Sequence, residues 1–499
     1  MAKRPSTISA NNYILLPATQ TQTNEDTNPN VKDFLTTVLE PAVSKGPVKL
    51  NARMPKKQAK KIPVKVLDSI RGNGGKLVQL NNEELADFRF SYPGLRIIKE
   101  KFYKKATIYR EAIKVKAKKS QVSIKVQVTI SDKEGNPIQG VYIVAFTDFE
   151  KRAGDSGTSN AKGQVSLSLS AKKIQRVYVY PEHSYWGYFK SNFTISTSLK
   201  IKLEPIATDY KDALRFFYPT STWPKITTPV RVAVIDTGVG PHDDLVVTGG
   251  MNCVKDEDPT DYKDNGEGHG THVAGIIGAN GGIHGVAAGV EIFSYRVFPV
   301  GQGASNFDIM KAINQAIIDK CDLINMSLGE SGQDEGMISY IKQAYSAGIL
   351  CFAANGNDER GPVNFPANYS LSVAVSALGR KNTFPANVVE TGSIKAPYGK
   401  DKSNFIADFS NIGPETDLTA PGVGIISTYP DNRYAIMDGT SMACPAAVGM
   451  AARILSGAPD ILNLPRTQAR ADEMLKYLST RIKTLGFNAN FEGKGILNE

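Results

Sequence analysis

Three side chains in this sequence could together activate a hydroxyl. Asp236 ends the run Val-Ile-Asp236-Thr-Gly, His269 lies in Gly-His269-Gly-Thr-His272-Val-Ala-Gly, and Ser441 lies in Asp438-Gly439-Thr-Ser441-Met-Ala. An acid, a base and a hydroxyl form a relay in which the imidazole takes the hydroxyl proton, the carboxylate holds the imidazole tautomer, and the serine oxygen attacks a carbonyl. Taken singly, each has an ordinary structural role: a strand-end Asp caps a turn, a Gly-flanked His packs, and a Ser that opens a helix caps it. The chemistry exists only if the fold brings the three together.

The elements around them alternate. Residues 231–235, Arg-Val-Ala-Val-Ile, and 323–326, Leu-Ile-Asn-Met, read as buried strands. Ser305 can cap a helix reaching Asp319, residues 339–347 have helical spacing, and Gly348 suits the C-cap before a strand at 349–353. Such alternation predicts an α/β fold with a mainly parallel sheet covered by helices on both faces, and chemistry in such sheets gathers at the carboxyl ends of the strands. The helix opening near Ser441 continues Met442, Ala443, Cys444, Pro445, Ala446, Ala447, Val448, Gly449. A helix with no polar face is buried, which fixes the hydroxyl on a rigid element, and Pro445 is expected in its first turn, where a missing N–H matters little.

The three motifs, in the order Asp, His, Ser, resemble those of the subtilisin-like serine peptidases, and residues 228–485 follow that family's order of elements. The resemblance implies a subtilisin-like three-layer domain and a serine endopeptidase that works through an acyl-enzyme. It makes His269 the base, leaving His272 packed or hydrogen-bonded structurally. Ala353-Ala354-Asn355-Gly356-Asn357 resembles the oxyanion loop, so Asn357 would donate its side-chain N–H to the oxyanion together with the backbone N–H of Ser441. Ser327, Leu328, Gly329, Ala354 and Asn355 would line the pocket before the scissile bond, with Asn364 near a floor that lacks a carboxylate. Gly301 and Gly303 resemble the edge that pairs with an extended substrate. The family usually has Thr and His where this sequence has Cys444 and Ala446; Cys444 reads as a core thiol.

No cofactor is expected and no metal ligand is assigned. Residues 275–285 look shorter than the calcium loop of many subtilisins. The acidic run Asp256, Glu257, Asp258, Asp261, Asp264 and Glu267 has oxygens enough for Ca²⁺, but also suits a solvated loop or a rim that touches basic substrate residues. Residues 380–402 look like a surface insertion.

N-terminal to this region, residues 118–205 alternate strictly, as in Val126, Val128, Ile130 and Val165, Leu167, Leu169, between Gly/Asn/Pro turns. They predict a small antiparallel β-sandwich, similar to a carboxypeptidase-regulatory or transthyretin-like module. Residues 1–117 read βαββαβ, with a helix through Val31, Phe34, Leu35, Val38 and Leu39, a Lys-rich linker at 56–61, a turn at 72–75, and a helix capped by Asn81 or Asn82. That α+β pattern resembles the family's inhibitory propeptide domain. By the resemblance its tail, residues 101–106, would thread the cleft and be cut near 103–106. Three domains follow: 1–117, 118–205 and 206–499.

Composition bounds the remaining choices. The 499 residues are 41% hydrophobic with a net charge of +10, which suits a globular chain and invites a nucleic-acid partner. Residues 206–499, however, carry 24 Lys+Arg and 32 Asp+Glu, a net of −8, and residues 1–205 carry 35 and 17, a net of +18. A basic half joined to an acidic half points to its own front domain and to a protein or peptide substrate as partners, with neither nucleic acid nor membrane expected. A catalytically silent scaffold and a nucleic-acid-binding protein using the basic half are the alternatives. The apolar stretch near Tyr13 is too short for a secretory signal, no run of ~18 apolar residues exists, and Cys253, Cys321, Cys351 and Cys444 form no CxxC pair. A cytoplasmic location is the resulting expectation.

Overall fold

The computed structural model describes residues 10–17, 48–50, 62–71, 74–92, 94–106, 112–116 and 124–499. The helix expected at 31–39, the linker at 56–61 and part of the turn at 72–75 lie outside the described residues.

The largest sheet is α/β and mainly parallel, in the order Val247–Asn252, Glu291–Arg296, Arg231–Asp236, Leu323–Met326, Leu350–Ala354, Ser372–Arg380, Asn404–Ile406, with Leu418–Pro421 also paired to Ser372–Arg380. Only Asn404–Ile406 runs antiparallel to its neighbour. Alternate residues of one strand feed two cores: Val232 and Val234 pack in the larger, Ala233 and Ile235 in the other. A strand buried on both faces has no polar side, which is why 232–235 reads as a continuous apolar run.

Two helices lie against the second core, Asn306–Ile318, capped by Ser305, and Glu335–Ser346. The latter begins well before Ser339, because the Asp334 carboxylate accepts the N–H groups of Gly336 and Met337 at 3.0 and 3.1 Å. Helix Thr440–Ser456 is buried along nearly its whole length, and Pro445 lies inside it rather than in its first turn.

Residues 124–202 form two facing sheets around Val126, Val128, Ile143, Leu167, Val177 and Ile201, supplying four strands to one and three to the other; Val115–Lys116 is the fifth strand of the larger sheet. The pairing is not purely antiparallel: Ser198–Lys202 runs parallel to Ile124–Ser131, and Ala153 and Gly154 pair in parallel with Val115 and Lys116. The stretch 380–402 is no surface excursion. Val388 and Glu390 are buried, Val389 packs with Phe146, Tyr178 and Phe189 of the two-sheet unit, and Asn387 O accepts the Phe189 N–H at 2.7 Å.

The front sheet runs Val48–Leu50, Ile62–Ser69, Lys76–Asn81, Ala10–Pro17, Leu95–Lys99, with helix Leu85–Ser91. Neither Asn81 nor Asn82 caps that helix; Asn82 Oδ1 instead accepts Asn11 Nδ2 and the Tyr13 hydroxyl, each at 2.7 Å. Ile14, Leu16, Ile70 and Leu77 of this sheet join Phe307, Met310, Met337 and Tyr340 in one core, so the front sheet sits on helices Asn306–Ile318 and Glu335–Ser346.

Candidate active site

Arg231–Asp236 lies where successive strands are added in opposite directions, and clefts open at such points. Asp236, at its carboxyl end, is fully buried; one of its oxygens accepts the Thr237 N–H at 2.7 Å and His269 Nδ1–H at 2.6 Å. With its proton on Nδ1, His269 presents Nε2 as an acceptor, and that atom has no hydrogen-bond partner among the described residues. His269 opens helix His269–Gly278 after Gly268, whose φ of 74° and contact with the Tyr429 ring leave no room for a side chain.

Asp264 organises this end of the helix. Its carboxylate accepts the N–H groups of Gly266, Gly268 and Thr271 at 3.0, 2.8 and 3.2 Å and the hydroxyls of Thr271 and Thr237 at 2.7 and 3.2 Å. Burial pushes its pKa up while these donors oppose the shift. His272, one turn on, directs Nε2 to the carbonyls of Ile425 and Ala435 at 3.1 and 3.2 Å. Carbonyls only accept, so Nε2 carries the proton, and burial followed by the nearby His269 lowers the His272 pKa to about 3.

Ser441 lies on the buried helix Thr440–Ser456, which packs against His269–Gly278. Its hydroxyl donates to Ser327 O at 3.0 Å, not to His269. Pro445 supplies no N–H to the Ser441 carbonyl four residues back, and that carbonyl accepts the Ser327 hydroxyl at 2.9 Å instead.

The cleft beside these residues is filled by the chain itself. Phe102–Lys105 is the middle strand of a three-stranded antiparallel sheet: Tyr103 and Phe102 pair with Ala304 and Ser305 on one side, Lys105 and Lys104 with Leu328 and Gly329 on the other. Ala106 N–H donates to Ser327 O at 3.2 Å. The Ala106 carbonyl oxygen accepts the Asn357 side-chain N–H, and the Ser441 N–H at 3.3 Å. Asn357 is itself oriented by Thr440, whose N–H and hydroxyl both donate to Asn357 Oδ1 at 3.0 Å. Gly439, at φ 145°, lies so close that a Cβ there would come within 2.7 Å of Ala106 O. A carbonyl polarised by two donors beside a serine hydroxyl and an imidazole acceptor is arranged for acyl transfer.

The family model for peptidase S8, the subtilase family, matches residues 227–489, just over half of the chain. The chain belongs to the subtilase family. It is 38% identical over 239 residues to the minor extracellular protease Epr of Bacillus subtilis, a match covering 47% of this chain and 33% of that protein. It is 36% identical over 253 residues to a thermostable alkaline protease of Halalkalibacterium halodurans, covering 50% and 63%. With subtilisin DY of Bacillus licheniformis it shares 34% identity over 277 residues, 54% of this chain and 89% of that one. The chain thus spans less than two thirds of the first two relatives.

The remaining residues expected in this subtilase site divide. Leu328 and Gly329 pair with the tail, and Gly303 abuts it, since a Cβ there would lie 2.8 Å from Tyr103 O. Gly301 does not pair with the tail; its N–H donates to Glu267 Oε1 at 2.6 Å, and Ala304 and Ser305 form the edge. Ala354 and Asn355 are buried, and the Asn355 amide turns away to Thr416 and Asn411. Asn364 stands against Gly329, but a carboxylate does reach it, because Asn364 Nδ2 donates to Asp358 Oδ2 at 2.9 Å, an oxygen shared with Asn411 at 2.8 Å. Asp358 follows Asn357 directly, six positions before Asn364 in the sequence.

The calcium that the family suggests does not fit residues 279–285. They close on Asp244, whose oxygens accept N–H from Gly282 and Ile283 at 2.7 and 3.1 Å and the Tyr434 hydroxyl at 2.9 Å, so donors stand where a cation needs oxygen acceptors. In the acidic run, Glu257 pairs with Arg296 at 2.7 Å, Asp264 caps the helix, and Glu267 pairs with Lys105. Among the described residues no group of three or more acidic, His or Cys side chains could hold a metal ion, all four cysteines are buried and unpaired, and no helix is long and apolar enough to cross a membrane. Burial pushes the Cys444 thiol up, away from the reactive thiolate.

Proposed function

We propose that this subtilase is a serine endopeptidase, held inactive by residues 1–106 and cut by its own site between Ala106 and Thr107. The observation that carries this is the Ala106 carbonyl, held by the Asn357 amide and the Ser441 N–H at the end of a strand stitched into the cleft. In the reaction Ser441 Oγ rotates from Ser327 O, attacks that carbonyl carbon and passes its proton to His269 Nε2. Asp236 stabilises the imidazolium through Nδ1, and the two donors hold the tetrahedral oxyanion. The proton then goes to the leaving amine of Thr107, and water hydrolyses the resulting ester on Ser441 by the same relay in reverse. The silent-scaffold and nucleic-acid alternatives have no comparable support.

Incubated full-length protein should yield a fragment whose N-terminus is Thr107, and Ser441→Ala should remain whole. N-terminal sequencing of the products decides the matter; intact wild-type protein, or the same fragments from Ser441→Ala, would overturn the proposal.

A further inference from the structure

We infer that Glu267 makes this cleft select a basic side chain, Lys or Arg, one residue before the residue whose carbonyl is attacked. The inference rests on the peptidase function proposed above and names a substrate class for it. The Ala106 carbonyl fixes the register, so Lys105 occupies that position, paired through its backbone with Leu328. Its ammonium makes an ion pair with Glu267 Oε2, both side chains being about three-quarters buried at 24% and 22% exposure, and lies 5.7 Å from the centre of the Phe298 ring. The neighbouring Lys104 is exposed to solvent, so the contact belongs to one position and not to basic character in general.

The receiving carboxylate is set by the peptidase part alone. Its other oxygen accepts the Gly301 N–H at 2.6 Å, the Glu267 N–H donates to Asn265 Oδ1 at 3.0 Å, and Asn265 Nδ2 donates to Phe298 O at 3.1 Å. Glu267 therefore faces any chain that replaces the tail. A cation there regains a partner for a partly desolvated carboxylate and meets the face of an aromatic ring. An apolar side chain leaves the carboxylate with the Gly301 N–H only, and an acidic one sets two like charges together. The nearby His269 changes charge during the reaction, so the clean readout is a ratio between substrates within one variant, where any general change in turnover cancels.

The test uses the full-length protein, incubated and then diluted so that the cut tail leaves the cleft, and acetyl-Tyr-Lys-X-Ala peptides bearing a fluorogenic amide, with X as Lys, Arg, Leu or Glu. The expected kcat/KM order is Lys and Arg above Leu by about tenfold, with Glu lowest. Glu267→Gln should bring the four within about threefold of one another, and Glu267→Lys should favour Glu over Lys. In the intact chain Lys105→Glu should slow the cut after Ala106 about tenfold, and adding Glu267→Lys should recover it. Cleavage without discrimination, or a Lys preference that persists in Glu267→Gln, overturns this inference while leaving the peptidase function standing. Failure to cleave any of the peptides, with no Ser441-dependent self-cut, overturns the peptidase function and this inference with it.

Discussion

Ser327 makes four hydrogen bonds at once, one of them accepted by its hydroxyl from Asn325 Nδ2 at 3.0 Å. Its carbonyl accepts the Ser441 hydroxyl and the Ala106 N–H, and its own hydroxyl donates to the Ser441 carbonyl. That donation exists because Pro445 leaves the carbonyl without its helical partner, so Ser327→Ala should strand a buried acceptor at a cost of about 1–3 kcal/mol. Pro445→Ala restores an N–H at the right place, and Ser327→Ala should cost at least about 1 kcal/mol less in that background. Urea unfolding of the four combinations, all carrying Ser441→Ala, measures the difference; equal costs would reject this account. The bond between Asp236 and His269 is legible because their motifs are compact and specific. Asp264 is not: its partners are backbone N–H groups and threonine hydroxyls, which leave no mark on a sequence where it looks like one member of an acidic run. Pro445 lies in the helix interior and not in the expected first turn for a local reason, since only the helix boundary at Thr440 tells one from the other.

Elements explain why His272 is neutral. The strands Ile425–Tyr429 and Arg433–Met437 form a hairpin, and the His272 Nε2–H spans it by reaching Ile425 O and Ala435 O. Charging this buried ring is opposed, so its folded pKa of about 3 lies below the unfolded value near 6.5. A depressed histidine contributes stability that is complete above the unfolded pKa and lost as pH falls through the window from 6.5 toward 3. The slope there is about 1.4 kcal/mol per pH unit. In the Ser441→Ala background, His272→Gln should flatten the acid limb of unfolding free energy against pH between 6 and 4 by that amount; an unchanged slope would remove His272 from the account. The same hairpin carries the Tyr429 ring against Gly268, and the Tyr429 hydroxyl donates to Glu182 of the two-sheet unit at 2.8 Å. That unit thus reaches the residue before His269 through Tyr429. Strand periodicity in residues 124–202 was plain from alternation. The seat at 380–402 was hidden, because polar composition suggests surface and only the packing of Val388, Val389 and Glu390 shows otherwise.

At the scale of the whole molecule the +18 and −8 halves suggested an electrostatic clasp. The described contacts between front sheet and peptidase join an apolar core to polar bonds such as Arg96 with Ser339 and Glu100 with Ser305, and their ion pairs have both polarities, Lys105 with Glu267 but also Asp68 with Lys311. Net charge and local contact therefore act on different steps. For the fragment 1–106 recombining with the processed remainder, raising salt from 50 to 500 mM should slow association about tenfold and change dissociation by less than about twofold. Stopped-flow mixing and dilution measure the two rates, and a salt-sensitive off-rate would contradict the division. The strand Phe102–Lys105, held on both flanks, adds a consequence. The proposed cut after Ala106 would leave the strand in place, with a carboxylate where the carbonyl was, so that the molecule would be cut yet still plugged. Such a cut would be unimolecular and indifferent to protein concentration, whereas escape of the plug would be a bimolecular equilibrium from that moment. A crowded population would stay silent long after every copy had been cut, and simple dispersal would be the signal that wakes it.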